Sequence, residues 1–163
     1  MIKRKKVMEP KIGIQDEQRW RVVEILNTAL SDEFVLYTVT RNFHWNVGGP
    51  QFSELHEFFD EQYQQLNTVV DDVAERVRSL GGRALGTLHD FLQHARLKEH
   101  HELSDPSEMI AALLSDHETV IRALRGDVEL CSDEYGDQGT SDFLSELVQR
   151  HEKMAWMLRA FLE

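Results

Sequence analysis

Between Asp16 and Leu80 a single tripeptide, Gly48-Gly49-Pro50, interrupts an otherwise sustained helical periodicity. The glycines favour a turn, and proline disfavours helical geometry in the residue before it. The run therefore divides into two long helices, one from about Asp16 to Val47 and one from the break to about Leu80. On the first, Val23, Leu26, Leu30, Phe34 and Tyr37 form one apolar stripe, and Val22, Ile25, Ala29, Leu36 and Phe43 form another. Two stripes predict two buried faces. On the second, Phe52, Leu55, Phe59, Leu66, Val70, Val73, Val77 and Leu80 fall within roughly 80° of arc at about 100° per residue.

The segment "GGRALGTLHDFLQHARLKEHHELSD" is too long for a tight bundle loop, and within it "LHDFLQHA" predicts a short helix of about two turns. "DPSE" then signals a third long helix, with Asp105 as N-cap, Pro106 at the first helical position and Glu108 closing a capping box. Ile110, Leu113, Val120, Leu124 and Val128 give its buried face, and it is expected to end in the acidic turn "CSDEYGDQGT". A fourth helix is expected from about Ser141, with Leu144, Leu147, Met154, Leu158 and Phe161 on one side. Four long helices with a crossover between the second and third predict an all-α, ferritin-like four-helix bundle with a short extra helix in that crossover. At 163 residues the chain suits one domain. Residues 16–163 are expected to form the bundle. Residues 1–15, "MIKRKKVMEPKIGIQ", lack a sustained period and read as a mobile basic tail.

Charge is unevenly placed. The net charge is −11, but Lys3, Arg4, Lys5 and Lys6 contribute +4, leaving 14 basic against 29 acidic side chains, or −15, for the remainder. Such a body repels nucleic acid and attracts cations. The one cysteine, Cys131, has no internal partner, and there is no apolar run of signal-peptide or membrane length. A reducing cytoplasm is the compartment this predicts, with no membrane partner.

Chemistry concentrates on the second helix. His56, Asp60, Asp71 and Glu75 share an arc centred roughly 125° from the middle of the core stripe, so they point away from the bundle interior. His56 and Asp60 are spaced i, i+4, as are Asp71 and Glu75, and each pair can converge on one ion. Imidazole with carboxylates suits Fe(II), Mn(II) or Zn(II). Asp60 and Asp71 are about 16 Å apart along a straight axis, too far to share an ion within one helix. If two copies of this helix pack antiparallel across a two-fold axis near Leu66, the His56 and Asp60 pair of one chain meets the Asp71 and Glu75 pair of its mate, twice over. His44, in the last turn of the first helix, comes beside His56 if the two helices are antiparallel. The plain alternative is a solvated acidic face, with His44 a hydrogen-bonded core histidine. His117 and His151 lie on core stripes and are expected to be buried.

The stretches "FHWNV", "FSELHEFFDEQY", "DDVAERVRSLGGRALGT" and "GTSDFL" together resemble the Dps family, the DNA-binding proteins from starved cells, also called miniferritins. The resemblance covers residues 16–163 and is most specific over 43–87. It implies a four-helix subunit assembled into a hollow dodecamer that oxidises Fe(II), preferentially with hydrogen peroxide, at two-iron sites between subunits, and stores ferric mineral. It carries over residue by residue. His44 matches the histidine of the HWN signature, His56 and Asp60 the H-x-x-x-D pair, and Asp71 and Glu75 the D-x-x-x-E pair before an arginine. Trp45 matches a tryptophan near the iron, with radical interception or packing between subunits as its role. Asp142 matches an acidic residue of the pore through which iron enters, although an aspartate in the first turn of a helix also favours the helix dipole.

Zinc and manganese are the expected competitors for such a site. DNA contacts, in the family sometimes made by basic termini, would fall to Lys3, Arg4, Lys5, Lys6 and Lys11, giving a nucleoid-associated protein. A nucleoid protein with little iron chemistry is thus one rival reading. A ferritin-type di-iron oxidase inside each bundle is another, but it needs Glu-x-x-His pairs and the chain has none. His89, His94, His100 and His101 cluster around the crossover as possible metal ligands or plain surface histidines. "DVELCSDEYGDQ" lacks the glycine at the sixth position and the glutamate at the twelfth that a calcium loop requires.

Overall fold

The computed structural model describes residues 8–163, so Lys3, Arg4, Lys5 and Lys6 lie outside the described residues, and Lys11 is exposed. The described residues form α1 (Asp16–Asn46), α2 (Phe52–Ser79), a short α3 (Leu88–His94), α4 (Pro106–Glu129), a π-helical turn (Leu130–Glu134) and α5 (Gln138–Ala160), with no strand. Helices α1 and α2 pack along each other as one hairpin, α4 and α5 as a second, and α1 also packs against α3 and α4. This is the all-α, ferritin-like bundle with the extra crossover helix that the periodicity predicts.

The core is built from the expected stripes. Val22, Leu26, Leu36, Phe43, Leu55, Phe59, Leu66, Val73, Val77, Leu113, Leu124, Leu144 and Leu158 are almost completely buried. Ile25, Phe34, Tyr37, Val70, Val128 and Phe161 are half-buried against that core, and Phe52 is exposed, at 44 %. It opens α2 at the rim of the bundle, beyond the end of the core, and its ring lies 5.1 Å from that of His56.

Polar groups of α1 hold the crossover in place. Asn27 donates to the Arg83 carbonyl at 3.1 Å and accepts from the Leu85 amide at 3.0 Å. Buried Asp32 accepts from the amides of Arg96 and Leu97 and from the Arg96 side chain, whose other end reaches Asp127 on α4. Phe91 of α3 stacks on Phe34 with centroids 4.3 Å apart. A long connection thereby becomes a fixed strap between the two hairpins.

At α4, Asp105 caps the start by accepting from the Glu108 amide at 3.1 Å. Its far end differs from expectation. Helical backbone continues past Glu129 through the π-helical turn instead of stopping at Cys131, and α5 begins at Gln138, three residues before Ser141. The physical reason lies at Asp137, whose carboxylate accepts from the Thr140 amide at 2.9 Å and from Arg76 of α2 at 3.2 Å. That N-cap starts α5 early and ties it to α2.

Candidate metal centre

The Gly48-Gly49-Pro50 turn brings the end of α1 against the start of α2, and two histidines close the junction. His44 Nδ1 donates to the His56 carbonyl at 2.8 Å, and His56 Nδ1 donates to the His44 carbonyl at 2.8 Å. The rings stack with centroids 3.9 Å apart. A carbonyl can only accept, so both Nδ1 atoms carry hydrogen in the neutral rings and both Nε2 atoms keep a free lone pair. That is the tautomer a metal ligand needs, fixed by hydrogen bonds on the far side of each ring.

Asp60 lies one helical turn beyond His56, with Oδ1 at 3.8 Å from His44 Nε2. Its other neighbours are Gln64, which donates to Oδ2 at 2.9 Å, and the Tyr63 hydroxyl. The Tyr63 hydrogen bond, with help from Gln64 and the two histidines, holds the Asp60 carboxyl below its usual range. The same bond pushes the Tyr63 hydroxyl up. Asp60 is therefore an anion at neutral pH, beside two imidazoles that present lone pairs.

Asp71 and Glu75 stand exposed further along α2. Because α2 runs unbroken from Phe52 to Ser79, Asp71 stays about 16 Å from Asp60 along the axis and Glu75 about 22 Å. Next to Glu75, Arg76 turns to the N-terminus of α5, reaching Asp137 and the Thr140 hydroxyl. The chain thus gathers His44, His56 and Asp60 and leaves Asp71 and Glu75 apart. Among the described residues no three His, Cys, Asp or Glu side chains converge on one point fit for a metal ion.

Trp45 is 64 % exposed, with the Arg41 guanidinium 5.1 Å above its ring. Asp142 is exposed and accepts from Gln138 at 2.7 Å. Since α5 starts at Gln138, Asp142 sits beyond the first turn, so the helix-dipole explanation for it falls away. His117 and His151 are fully buried, as their stripes predict. Their Nδ1 atoms are 2.9 Å apart, and His151 Nε2 meets Glu33 of α1 at 2.8 Å. These three groups form a line of hydrogen bonds across the core. Of the crossover histidines, His94 bonds the Asp90 carbonyl within its own helix, His100 pairs with Asp116 at 2.8 Å, and His89 and His101 are exposed.

Sequence reasoning passed over Tyr63 and Arg41 beside the site, and Glu33 in the core. Tyr63 follows Asp60 by three residues, which places both on one helical face, so its signal was in the spacing. Glu33 had none, because it adjoins Asp32 in what reads as an ordinary polar pair.

Comparisons with known proteins agree with this architecture. The ferritin-like domain family matches residues 23–163. A low-temperature-induced protein of Nostoc sp., itself uncharacterised, is 48 % identical over 153 residues, covering 93 % of this chain and 86 % of its own. DNA protection during starvation protein 2 of Bacillus anthracis is 38 % identical over 142 residues, covering 87 % of this chain and 97 % of its own. The crystal structure of the Dps protein of Vibrio cholerae O1, a member of a broad superfamily of ferritin-like diiron-carboxylate proteins, superimposes with a TM-score of 0.90 at 34 % identity, covering 94 % of this chain and 96 % of that one. With this family match, this closeness of fold and this degree of identity over nearly the whole length, the chain belongs to the Dps family of ferritin-like miniferritins.

Proposed function

We propose that this protein is an iron-oxidising and iron-storing miniferritin whose sites form between two copies of the chain. The observation that carries the reading is the reciprocal His44 and His56 lock, which presents two Nε2 lone pairs next to the Asp60 carboxylate. Nitrogen and carboxylate donors together fit Fe(II), with zinc and manganese as competitors. Asp71 and Glu75 of a second copy, brought up by antiparallel pairing of two α2 helices, supply the carboxylates that one chain cannot. Fe(II) is the substrate here.

In the proposed reaction two Fe(II) ions each lose one electron, the O–O bond of hydrogen peroxide breaks, two protons are taken up, and two Fe(III) ions and two waters result. Taking both electrons together avoids release of hydroxyl radical. The chain's own contribution is to hold both imidazoles in the ligating tautomer and to keep Asp60 ionised through Tyr63 and Gln64. The ferric product passes into an acidic interior, so oxidation and storage are one process, with protection of DNA as its cellular consequence. A hollow dodecamer in the cytoplasm is the assembly this reading expects, with Asp142 lining the pore through which iron enters and Trp45 near the iron.

The test is stopped-flow oxidation of Fe(II) by peroxide in the full-length protein. His56→Ala combined with Asp60→Ala is expected to slow oxidation by about tenfold or more. Oxidation as fast as wild type overturns the site assignment. A second reading, DNA binding through Lys3, Arg4, Lys5, Lys6 and Lys11, draws on the charge contrast between a basic start and an acidic body. A gel shift at stated salt is expected to lose DNA retention when residues 1–11 are removed, and unchanged retention removes the tail from the account.

A further inference from the structure

We infer that the buried line of Glu33, His151 and His117 is an acid-triggered latch between α4 and α5, which holds while one hydrogen lies between the two imidazoles and parts when each imidazole carries its own. It lies in the bundle core, away from the iron donors, and needs no metal. Its members come from three different helices: Glu33 from α1, His117 from α4 and His151 from α5. All three are 0 % exposed. Apolar layers close it off along both histidine-bearing helices. Leu113 and Val120 lie one turn either side of His117, Leu147 and Met154 one turn either side of His151, and all four are almost completely buried.

Hydrogen count makes it a latch. His117 Nδ1 and His151 Nδ1 face each other at 2.9 Å, and His151 Nε2 meets Glu33 Oε1 at 2.8 Å. A bond between two ring nitrogens needs one hydrogen, supplied from one side only. With both rings neutral and Glu33 ionised, His151 Nε2 donates to Glu33, so His151 Nδ1 accepts and His117 Nδ1 donates. His117 Nε2 is then a bare lone pair, and it has no hydrogen-bond partner. A first added proton reverses the donor without breaking the bond. His151 becomes an imidazolium against the Glu33 carboxylate and donates from Nδ1, while His117 accepts there and carries its hydrogen on Nε2. A second added proton has no such place. On His117 it sets two N–H groups face to face; on Glu33 it leaves the imidazolium without its counter-charge. Either way an apolar core holds a net positive charge, which is costly. Parting of α4 from α5 relieves it, because His117 reaches water while His151 stays against Glu33.

The charged residues next to the line in sequence turn elsewhere: Asp32 to Arg96, Asp116 to His100 and Glu118 to Arg159, while Arg150 and Glu152 are exposed. From α2 the buried polar group is Gln62, which donates to the Met154 carbonyl at 3.4 Å, one turn from His151, and does not titrate. Glu33 is thus the one carboxylate bonded to the line. Burial and the neighbouring His151 hold His117 well below its ordinary 6.5, so the closed form resists the proton and the open form takes it up.

The test is hydrogen–deuterium exchange of the full-length assembled protein, read by mass spectrometry at pH 7 and pH 5.5, with each rate divided by the intrinsic amide rate at that pH. In α4 peptides around His117, protection should fall about eightfold between the two, the effect of one proton taken up near 6.5 by the open form, and it should hold in α1 and α2. His117→Asn keeps an amide donor toward His151 Nδ1 and cannot take up the second proton, so its α4 protection should be the same at both pH values. An equal loss in His117→Asn, a loss shared by α1 and α2, or no loss in wild type overturns the latch. If His117→Asn does not assemble, the wild-type contrast between α4 and the α1–α2 hairpin decides by itself.

Discussion

His44 and His117 show how little residue type decides. The first lies at a helix junction with one ring nitrogen bound to a carbonyl and the other facing a carboxylate; the second lies deep in the core beside another imidazole. Burial, with the neighbouring His151, pushes His117 well below its ordinary 6.5, so the folded chain keeps it neutral. The unfolded chain takes up a proton there once pH falls below about 6.5, which makes stability complete above that pH and progressively lower toward acid, by at most ~1.4 kcal/mol per pH unit. Buried Asp32, Asp116 and Asp127 are shifted upward by burial, so protonation stabilises their folded form and their contribution runs the other way, from 3.8 upward. Urea unfolding at fixed protein concentration should therefore show a loss of stability from pH 7 toward pH 5.5 that flattens in His117→Leu; an equally steep loss in that variant removes His117 as the cause. The burial of His117 and His151 was legible in their stripe positions. Their partner Glu33 was not, because the pairing spans more than a hundred residues and three helices.

At the level of elements, the strongest local signals were the ones that could be read. Asp105-Pro106 has one plausible cap, and the helix starts there. The periodicity puts the start of α5 at about Ser141, three residues late, because the contact that fixes it is not local: Asp137 is held by Arg76, 61 residues away. Asp137→Ala should cost about 1–2 kcal/mol in unfolding experiments, since it removes a cap and leaves Arg76 without its carboxylate. A cost near zero makes the cap assignment wrong. The end of α2 is as specific. Gly82 N–H bonds the Val77 carbonyl and Gly81 N–H bonds the Arg78 carbonyl, with Gly81 at φ +79°, a left-handed C-terminal cap. A Cβ on Gly81 would also come within 2.8 Å of Pro10. Gly81→Ala should lower stability by about 1–2 kcal/mol, read as an earlier urea midpoint, and an unchanged midpoint contradicts the strain argued here.

For the whole molecule, the sharpest question is how many chains make one site. If each site joins the histidine half of one copy to the acidic half of another, two dead variants can rescue each other. His56→Ala with Asp60→Ala keeps Asp71 and Glu75; Asp71→Ala with Glu75→Ala keeps His44, His56 and Asp60. Co-expressed, they should recover roughly a quarter of wild-type peroxide-dependent iron oxidation, because half of randomly formed pairs are mixed and each mixed pair holds one intact site of two. Separately purified and unmixed, both should stay inactive. Failure of the mixture to recover activity would count against a shared site. The unbroken length of α2 also bears on timing. On the shared-site reading, a freshly synthesised chain cannot close its donors around one ion, so its iron chemistry waits on a bimolecular meeting. Dilution then acts as a safety catch, and a cell making these chains would meet their redox activity only once enough of them had accumulated to pair.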